Sequence, residues 1–326
     1  MADRDAALHA WLEQVLEGAP FQLTPASADA SFRRYLRVHL DDRTLIAMDA
    51  PPEHEDCGRF ARLARRLRAA GLNAPEVHAA ATEQGFLLLD DLGERPYLQV
   101  LDETNADRLY GEAMDALLTL QTAVATDDLP RYDAAFLGRE LGLFRDWFLE
   151  RHLGRTPEAA TTALLDALDR VLIDSALEQP QVCVHRDYHS RNLMWLAADN
   201  PGVLDFQDAV LGPLTYDLVS LLRDAYISWP EARVEGWALD FRRQALARGV
   251  LPAASAGGRD PAQFLRWFDL MGVQRHLKVC GIFARLALRD GKRQYLDDLP
   301  RVLDALRTVA ARHPELAGLA RLLDGL

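Results

Sequence analysis

The sequence predicts an α+β fold in two lobes: a small antiparallel sheet, then a larger and mostly helical part. Three observations predict it. Between Phe21 and Met48, short alternating apolar and polar runs are separated by turn residues, the pattern of a half-buried hairpin sheet. From Asn105 onward, apolar residues recur at three- and four-residue steps, which puts them on one side of a helix. Between the two regimes, Asp90-Asp91-Leu92-Gly93 interrupts an apolar run and divides the chain into lobes 1–92 and 93–326. At 326 residues and 49% hydrophobic, both lobes can bury a core.

The elements follow in order. Leu8, Trp11, Leu12, Val15 and Leu16 mark an amphipathic helix ended by Gly18 and Pro20. A first strand starts at Phe21–Thr24. Pro25–Ser31, PASADAS, reads as a loop of small residues. A second strand runs from Phe32 to Leu40, Asp41-Asp42 turns the chain, and Thr44–Met48 is the third strand. Phe60, Leu63, Ala64 and Leu67 mark a helix that Gly71 stops. Strands follow near Val77 and at Phe86–Leu89. In the second lobe, helices are expected over Leu109–Leu120, Leu137–Leu153, Thr161–Leu177, Thr215–Ile227, Phe264–Leu288, Leu299–Val309 and Leu316–Leu323. The helix over Phe264–Leu288 is apolar nearly all round, so it should be buried. Ala253–Gly258, AASAGG, is expected to be the most mobile loop.

The chemistry is concentrated in Val182–Asp208. A short apolar run turns polar at once into His185, Arg186 and Asp187, with Asn192 five residues after the aspartate. A second short strand ends in Asp205-Phe206. This is the layout of a phosphoryl-transfer site of the protein-kinase type, so the expected fold is protein-kinase-like. Transfer of a γ-phosphoryl group needs an acceptor hydroxyl held in line and charge neutralised over the phosphates. Asp187 is placed to accept the hydroxyl proton. Asn192 and Asp205 offer the oxygen ligands that Mg²⁺ prefers.

HRDYHSRN resembles the H-x-D-x-H-x-x-N loop of the aminoglycoside phosphotransferase and choline kinase superfamily. LDFQD resembles its I-D-x-x-D metal motif, and GPLTYDLVSLL its G-x-x-x-x-D-L-A helix start. The resemblance runs from about Thr24 to Leu303. It implies ATP and Mg²⁺ as cofactors, and a hinge at Asp90–Gly93 where adenine meets backbone at Asp90 and Leu92. By position, PASADAS takes the place of a glycine-rich nucleotide loop, with Ser27 and Ser31 offering hydroxyls and N–H groups to phosphate. His189, two residues after the base, is expected to touch the moving phosphate; a structural loop hydrogen bond is the alternative.

One departure stands out. Kinases of this type carry a Lys on the third strand, paired with a Glu on the next helix. Here those positions fall at Met48 or Asp49 and near Phe60, which are expected to pack together. The phosphate cation then falls to Arg33 or Arg34, of which only one can face the site, because strand side chains alternate.

For the acceptor, PASADASFRRY, MDAPP, LLLDDLG and FDLMGVQRHLKVCGIFARL together resemble bacterial anomeric sugar kinases acting on N-acetylmuramate and N-acetylglucosamine in cell-wall recycling. That resemblance implies phosphorylation of the C1 hydroxyl of an amino sugar. Arg275 and Lys278, three apart on one helix side, are expected to receive a muramyl carboxylate, or else to pair with Asp269 or Asp224. Asp208 is expected to reach sugar hydroxyls, and Asp217 to cap a helix or hold the loop. The alternatives are a kinase of an aminoglycoside, homoserine or choline, and a nucleotide-binding pseudokinase.

Composition excludes other classes. Lys and Arg number 37 against 49 Asp and Glu, a net charge of −12, which disfavours nucleic acid and anionic membranes. Cys57, Cys183 and Cys280 are odd in number and far apart, so reduced core thiols are expected. The acidic start MADRDAALHA is unlike a signal peptide, and no run suffices for a membrane span. A cytoplasmic monomer is expected.

Overall fold

The structure, a computed structural model, describes residues 2–27 and 33–326. The chain divides into two compact units, Met1–Pro96 with Leu193–Gln207, and Tyr97–Asn192 with Asp208–Leu326.

In the first unit, α1 (Ala2–Val15) places Leu8, Trp11 and Leu12 on one face. That face is buried with Val38, Leu45, Ala47, Phe86 and Leu88 of the sheet. Strands β1 (Gln22–Ser27), β2 (Arg34–His39) and β3 (Thr44–Asp49) are followed by α2 (Cys57–Ala69), then β4 (Val77–Ala81) and β5 (Phe86–Asp90). The sheet order is β1-β2-β3-β5-β4, and every pair is antiparallel. The register sets Arg34 opposite Asp49 and Tyr35 opposite Met48.

The small-residue loop begins later than expected. β1 continues through Pro25 to Ser27, with an irregularity between Pro25 and Ser27. Pro25 is tolerated because β1 is an edge strand, where a missing N–H breaks no essential pairing. The rest of the expected loop lies outside the described residues.

The second unit begins with α3 (Tyr97–Val100) and α4 (Ala106–Ala123). α5 (Ala134–Leu143) runs into a π-helical stretch, Phe144–His152, and α6 (Ala159–Glu178) leads to β6 (Gln181–Val184). The short strands β7 (Leu193–Met194) and β8 (Gly202–Val203) pair with each other in the first unit. β9 (Val210–Pro213) then pairs antiparallel with β6. Helices α7 (Tyr216–Leu222), α8 (Glu231–Ala247), α9 (Ala256–Arg259), α10 (Pro261–Arg289), α11 (Leu299–Ala310) and α12 (Ala317–Asp324) complete it.

As expected from its all-round apolar surface, α10 is buried along most of its length. It packs against α5 to α9 and α11. At Gly281 a β-carbon would lie 2.4 Å from the Leu143 backbone, so only glycine permits that approach. The π stretch starts at the next residue, Phe144, where one continuous helix was expected.

Three other expectations change. α7 stops at Leu222, because the Asp224 carboxylate accepts from Tyr226 N–H at 3.0 Å, a local bond that competes with helix. α8 was not expected, although Val234, Trp237, Ala238, Phe241 and Ala245, its buried residues, have helical spacing. AASAGG is a packed turn rather than a mobile loop. Ser255 caps α9 by accepting from Gly258 N–H, Arg242 donates to the carbonyls of Gly257 and Gly258, and a β-carbon at Gly257 would lie 2.4 Å from the Trp267 ring.

Candidate active site

β6 ends at Val184, and the loop 185–192 is held by two carboxylates that follow α7's start. His185 N–H and Arg186 N–H donate to Asp217 at 2.6 and 2.9 Å. Burial pushes the Asp217 carboxyl up to about 7 against the pull of those two N–H groups. Asp224 accepts from Ser190 N–H at 2.9 Å and from the Ser190 hydroxyl. Within the loop, His189 N–H and the Asn192 side-chain amide both donate to the Asp187 carbonyl at 3.0 Å. The Asn192 nitrogen is thus turned inward, as an amide oxygen aimed away from the loop requires. Asp217 holds the loop, as expected.

Asp187 is only partly exposed. Burial works to raise its carboxyl, but Lys278 and Arg275, then His189 and Arg186, outweigh it and hold it down at about 2. Burial lowers His189 against the nearby Asp224 and Asp187, favouring a neutral imidazole. Its ring meets Tyr226 edge-on at 5.5 Å, and its Nδ1 is buried without a hydrogen-bond partner among the described residues.

Arg275 and Lys278 lie beside this loop, each 5% exposed, with polar atoms engaged by protein groups. Lys278 Nζ is 2.9 Å from the Glu140 carboxylate and donates to Tyr216 Oη at 2.9 Å. Arg275 Nη1 donates to the Arg186 carbonyl at 3.0 Å. The acid involved is Glu140, not Asp269, which takes Arg223 and His313, nor Asp224. Asp208 is exposed.

The first unit holds the other candidates. Asp205 has a left-handed φ of +63°; its Oδ1 accepts from Gln207 Nε2 at 2.8 Å and lies 3.4 Å from Arg33 Nη2. Arg34 turns the other way, donating through Nε to Asp49 at 2.9 Å and pairing with Asp5 at 2.7 Å. The two neighbouring arginines thus take different partners. Asp49 is 1% exposed and also accepts from Arg4 Nε at 3.0 Å. The third strand thus carries an anion gripped by two guanidiniums where a cation is usual. Met48 and Phe60 are both buried, and the Phe60 ring meets Phe206 at 4.8 Å.

At the hinge, Asp90 N–H donates to the Glu76 carbonyl at 3.1 Å, and its carboxylate accepts from Glu76 N–H and pairs with His78 Nε2. Leu92 is partly exposed. Ser27 pairs with Tyr35 in the sheet. Ser31 lies outside the described residues.

Two residues at the site escaped the sequence reading, Glu140 and the role of Asp224. Glu140 did leave a signal: it shares a helical face with Leu137 and Phe144, and an acid on an apolar face needs a buried partner.

Comparison with known proteins identifies the family and the fold. The profile of the phosphotransferase enzyme family, APH, matches residues 22–265. An N-acetylmuramate/N-acetylglucosamine kinase of Pseudomonas aeruginosa is 50% identical, the match covering 98% of this chain and 96% of that one. A kinase of the same name from Neisseria meningitidis is 43% identical over 98% and 95%. Among solved structures, a Plasmodium vivax ethanolamine kinase superposes with a TM-score of 0.66 at 11% identity, covering 93% of this chain and 87% of its own. ADP-bound aminoglycoside phosphotransferase APH(2'')-Ib gives 0.59 at 14%, covering 92% and 97%. These likenesses bear out the kinase-like fold. A family match over most of the chain, with relatives half identical along nearly its whole length, makes this protein a member of the APH phosphotransferase family.

Proposed function

We propose that the protein transfers the γ-phosphoryl group of ATP, with Mg²⁺, to the anomeric C1 hydroxyl of N-acetylmuramate and N-acetylglucosamine, serving cytoplasmic recycling of peptidoglycan sugars. The observation that carries phosphoryl transfer is the Asp187 carboxylate, held ionised in a loop anchored by Asp217 and Asp224. The acceptor is inferred from the names of the half-identical relatives.

In this reading the C1 oxygen attacks the γ-phosphorus, the bond to the β-phosphate oxygen breaks, and ADP leaves. A carboxyl held near 2 is a weak base for a sugar hydroxyl. Asp187 therefore orients the hydroxyl first and takes its proton late, once bonding to phosphorus has acidified the oxygen. A neutral His189 supports contact with the transferred phosphoryl group without adding charge. Asn192 and Asp205 supply the hard oxygen donors that suit Mg²⁺, which when bound neutralises phosphate charge. Ser27, Ser31 and Arg33 hold phosphate, the backbone at Asp90 and Leu92 meets adenine, and Asp208 accepts from sugar hydroxyls. With its N–H engaged by Glu76, Asp90 would contribute its carbonyl.

Arg33 and Arg34 separate experimentally. A charge-assisted contact is worth about 1.5–3 kcal/mol, so Arg33→Ala should raise KM for ATP about ten- to a hundredfold. Arg34→Ala should leave KM near normal and lower the melting temperature, since it uncovers part of the buried Asp49. An unchanged KM in Arg33→Ala would remove Arg33 from the phosphate site.

The function itself is tested by incubating ATP with a panel of free sugars, choline and homoserine, followed by ³¹P NMR. A sugar 1-phosphate signal is expected with both N-acetyl sugars. Transfer only to choline or homoserine, or ATP binding with no transfer, would overturn the proposal.

A further inference from the structure

Arg186 precedes Asp187 and has φ +79°, a left-handed conformation uncommon for a residue with a side chain. Such a conformation persists when the surroundings over-determine it, and here the N–H, the carbonyl and one guanidinium nitrogen are each bound. Its N–H donates to Asp217 at 2.9 Å. Its carbonyl accepts from Arg275 Nη1 at 3.0 Å. Its guanidinium donates to Glu140 at 2.7 Å and lies over the Phe136 ring.

The groups that hold Arg186 also hold one another. Glu140 on α5 pairs with Lys278 on α10 and accepts from the Tyr132 hydroxyl. Lys278 and Arg275 both reach the Tyr216 hydroxyl, at 2.9 and 3.4 Å. A substrate carboxylate arriving at Lys278 would have to displace Glu140, which is itself buried. Burying that acid with its partners removed would be costly.

We propose that Glu140, Arg275 and Lys278 are positioning residues, a buried clamp that fixes Arg186 by its carbonyl and side chain and so aims the Asp187 carboxylate. This rests on the reading of Asp187 as the group that receives the acceptor hydroxyl. It moves Arg275 and Lys278 from the acceptor site to the loop's support.

The experiment is steady-state kinetics of Arg275→Met, Arg275→Lys and Glu140→Gln, with ATP and each N-acetyl sugar, beside Asp187→Asn. Misplacing a catalytic group by about 1 Å costs on the order of 10²-fold, so kcat should fall by at least about tenfold in Arg275→Met and Glu140→Gln. KM for ATP and for both sugars should stay within about twofold, the signature of an interaction that acts on the transition state alone. Arg275→Lys, which keeps a donor, should recover part of kcat, a gradation that loss of folded protein would not give. If Arg275→Met melts below assay temperature, the other two variants are read the same way. A rise in KM for N-acetylmuramate alone, with kcat intact, would overturn the clamp in favour of a carboxylate contact. Normal kcat in the clamp variants beside an inactive Asp187→Asn would also overturn it. Normal kcat in Asp187→Asn would instead defeat the underlying reading of the base.

Discussion

Asp187→Asn should bind ATP nearly as the natural protein does and lose about 10²- to 10⁴-fold in kcat, the usual contribution of a general base. Asparagine keeps the size of the side chain and the carbonyl that receives His189 N–H and the Asn192 amide. The loop should therefore survive while the proton acceptor disappears. Titration of a fluorescent nucleotide checks binding, and steady-state turnover checks the rate. A pH profile adds a second check. A base is active when ionised, and a carboxyl held at about 2 is ionised at every pH above that. Asp187 should thus contribute no acid limb to kcat between about pH 5 and 8. Near-normal turnover in Asp187→Asn would remove the residue from the chemistry.

The second large effect belongs to Asp217. Asp217→Ala leaves two N–H groups without an acceptor, the buried one of His185 and the partly buried one of Arg186. Each stranded donor costs about 1–3 kcal/mol, so a loss of about 2–6 kcal/mol is expected, with a drop in the urea midpoint. Turnover should fall as well, because both donors belong to the loop that carries Asp187. Asp217→Asn, which keeps one carbonyl oxygen, should lose less of both. An unchanged midpoint in Asp217→Ala would mean the loop is held by other groups.

Much of this was legible in the chain, for physical reasons. Helices with an apolar stripe and the antiparallel sheet announce themselves by period, and α10 announced its burial by having apolar residues on every side. His185, Asp187, Asn192 and Asp205 could be picked out as candidates because the phosphoryl-transfer reading asks for those residue types at that spacing. What was not legible depends on long-range pairing. Glu140 and Lys278 are 138 positions apart in number and 2.9 Å apart in space, and no local pattern joins them. Arg4 and Asp49 meet in the same way, so the missing third-strand lysine could be seen but not the inverted pair in its place. The return of residues 193–207 to the first unit leaves no compositional trace. The packed AASAGG turn misled for a related reason: small residues mark flexibility in isolation, but here they make room for the Trp267 ring.

The central claim is that Asp187 receives the proton of a sugar hydroxyl as phosphate leaves ATP. Its most direct test is a rapid-quench single-turnover comparison of the natural protein and Asp187→Asn, with radiolabelled γ-phosphate on saturating ATP and with N-acetylmuramate as acceptor. Saturation removes binding from the comparison, and one turnover removes product release. The account predicts label on C1 of the sugar in the natural protein, and a transfer rate in Asp187→Asn reduced by at least about 10²-fold. Equal transfer rates in the two proteins, or label appearing on another hydroxyl, would contradict it.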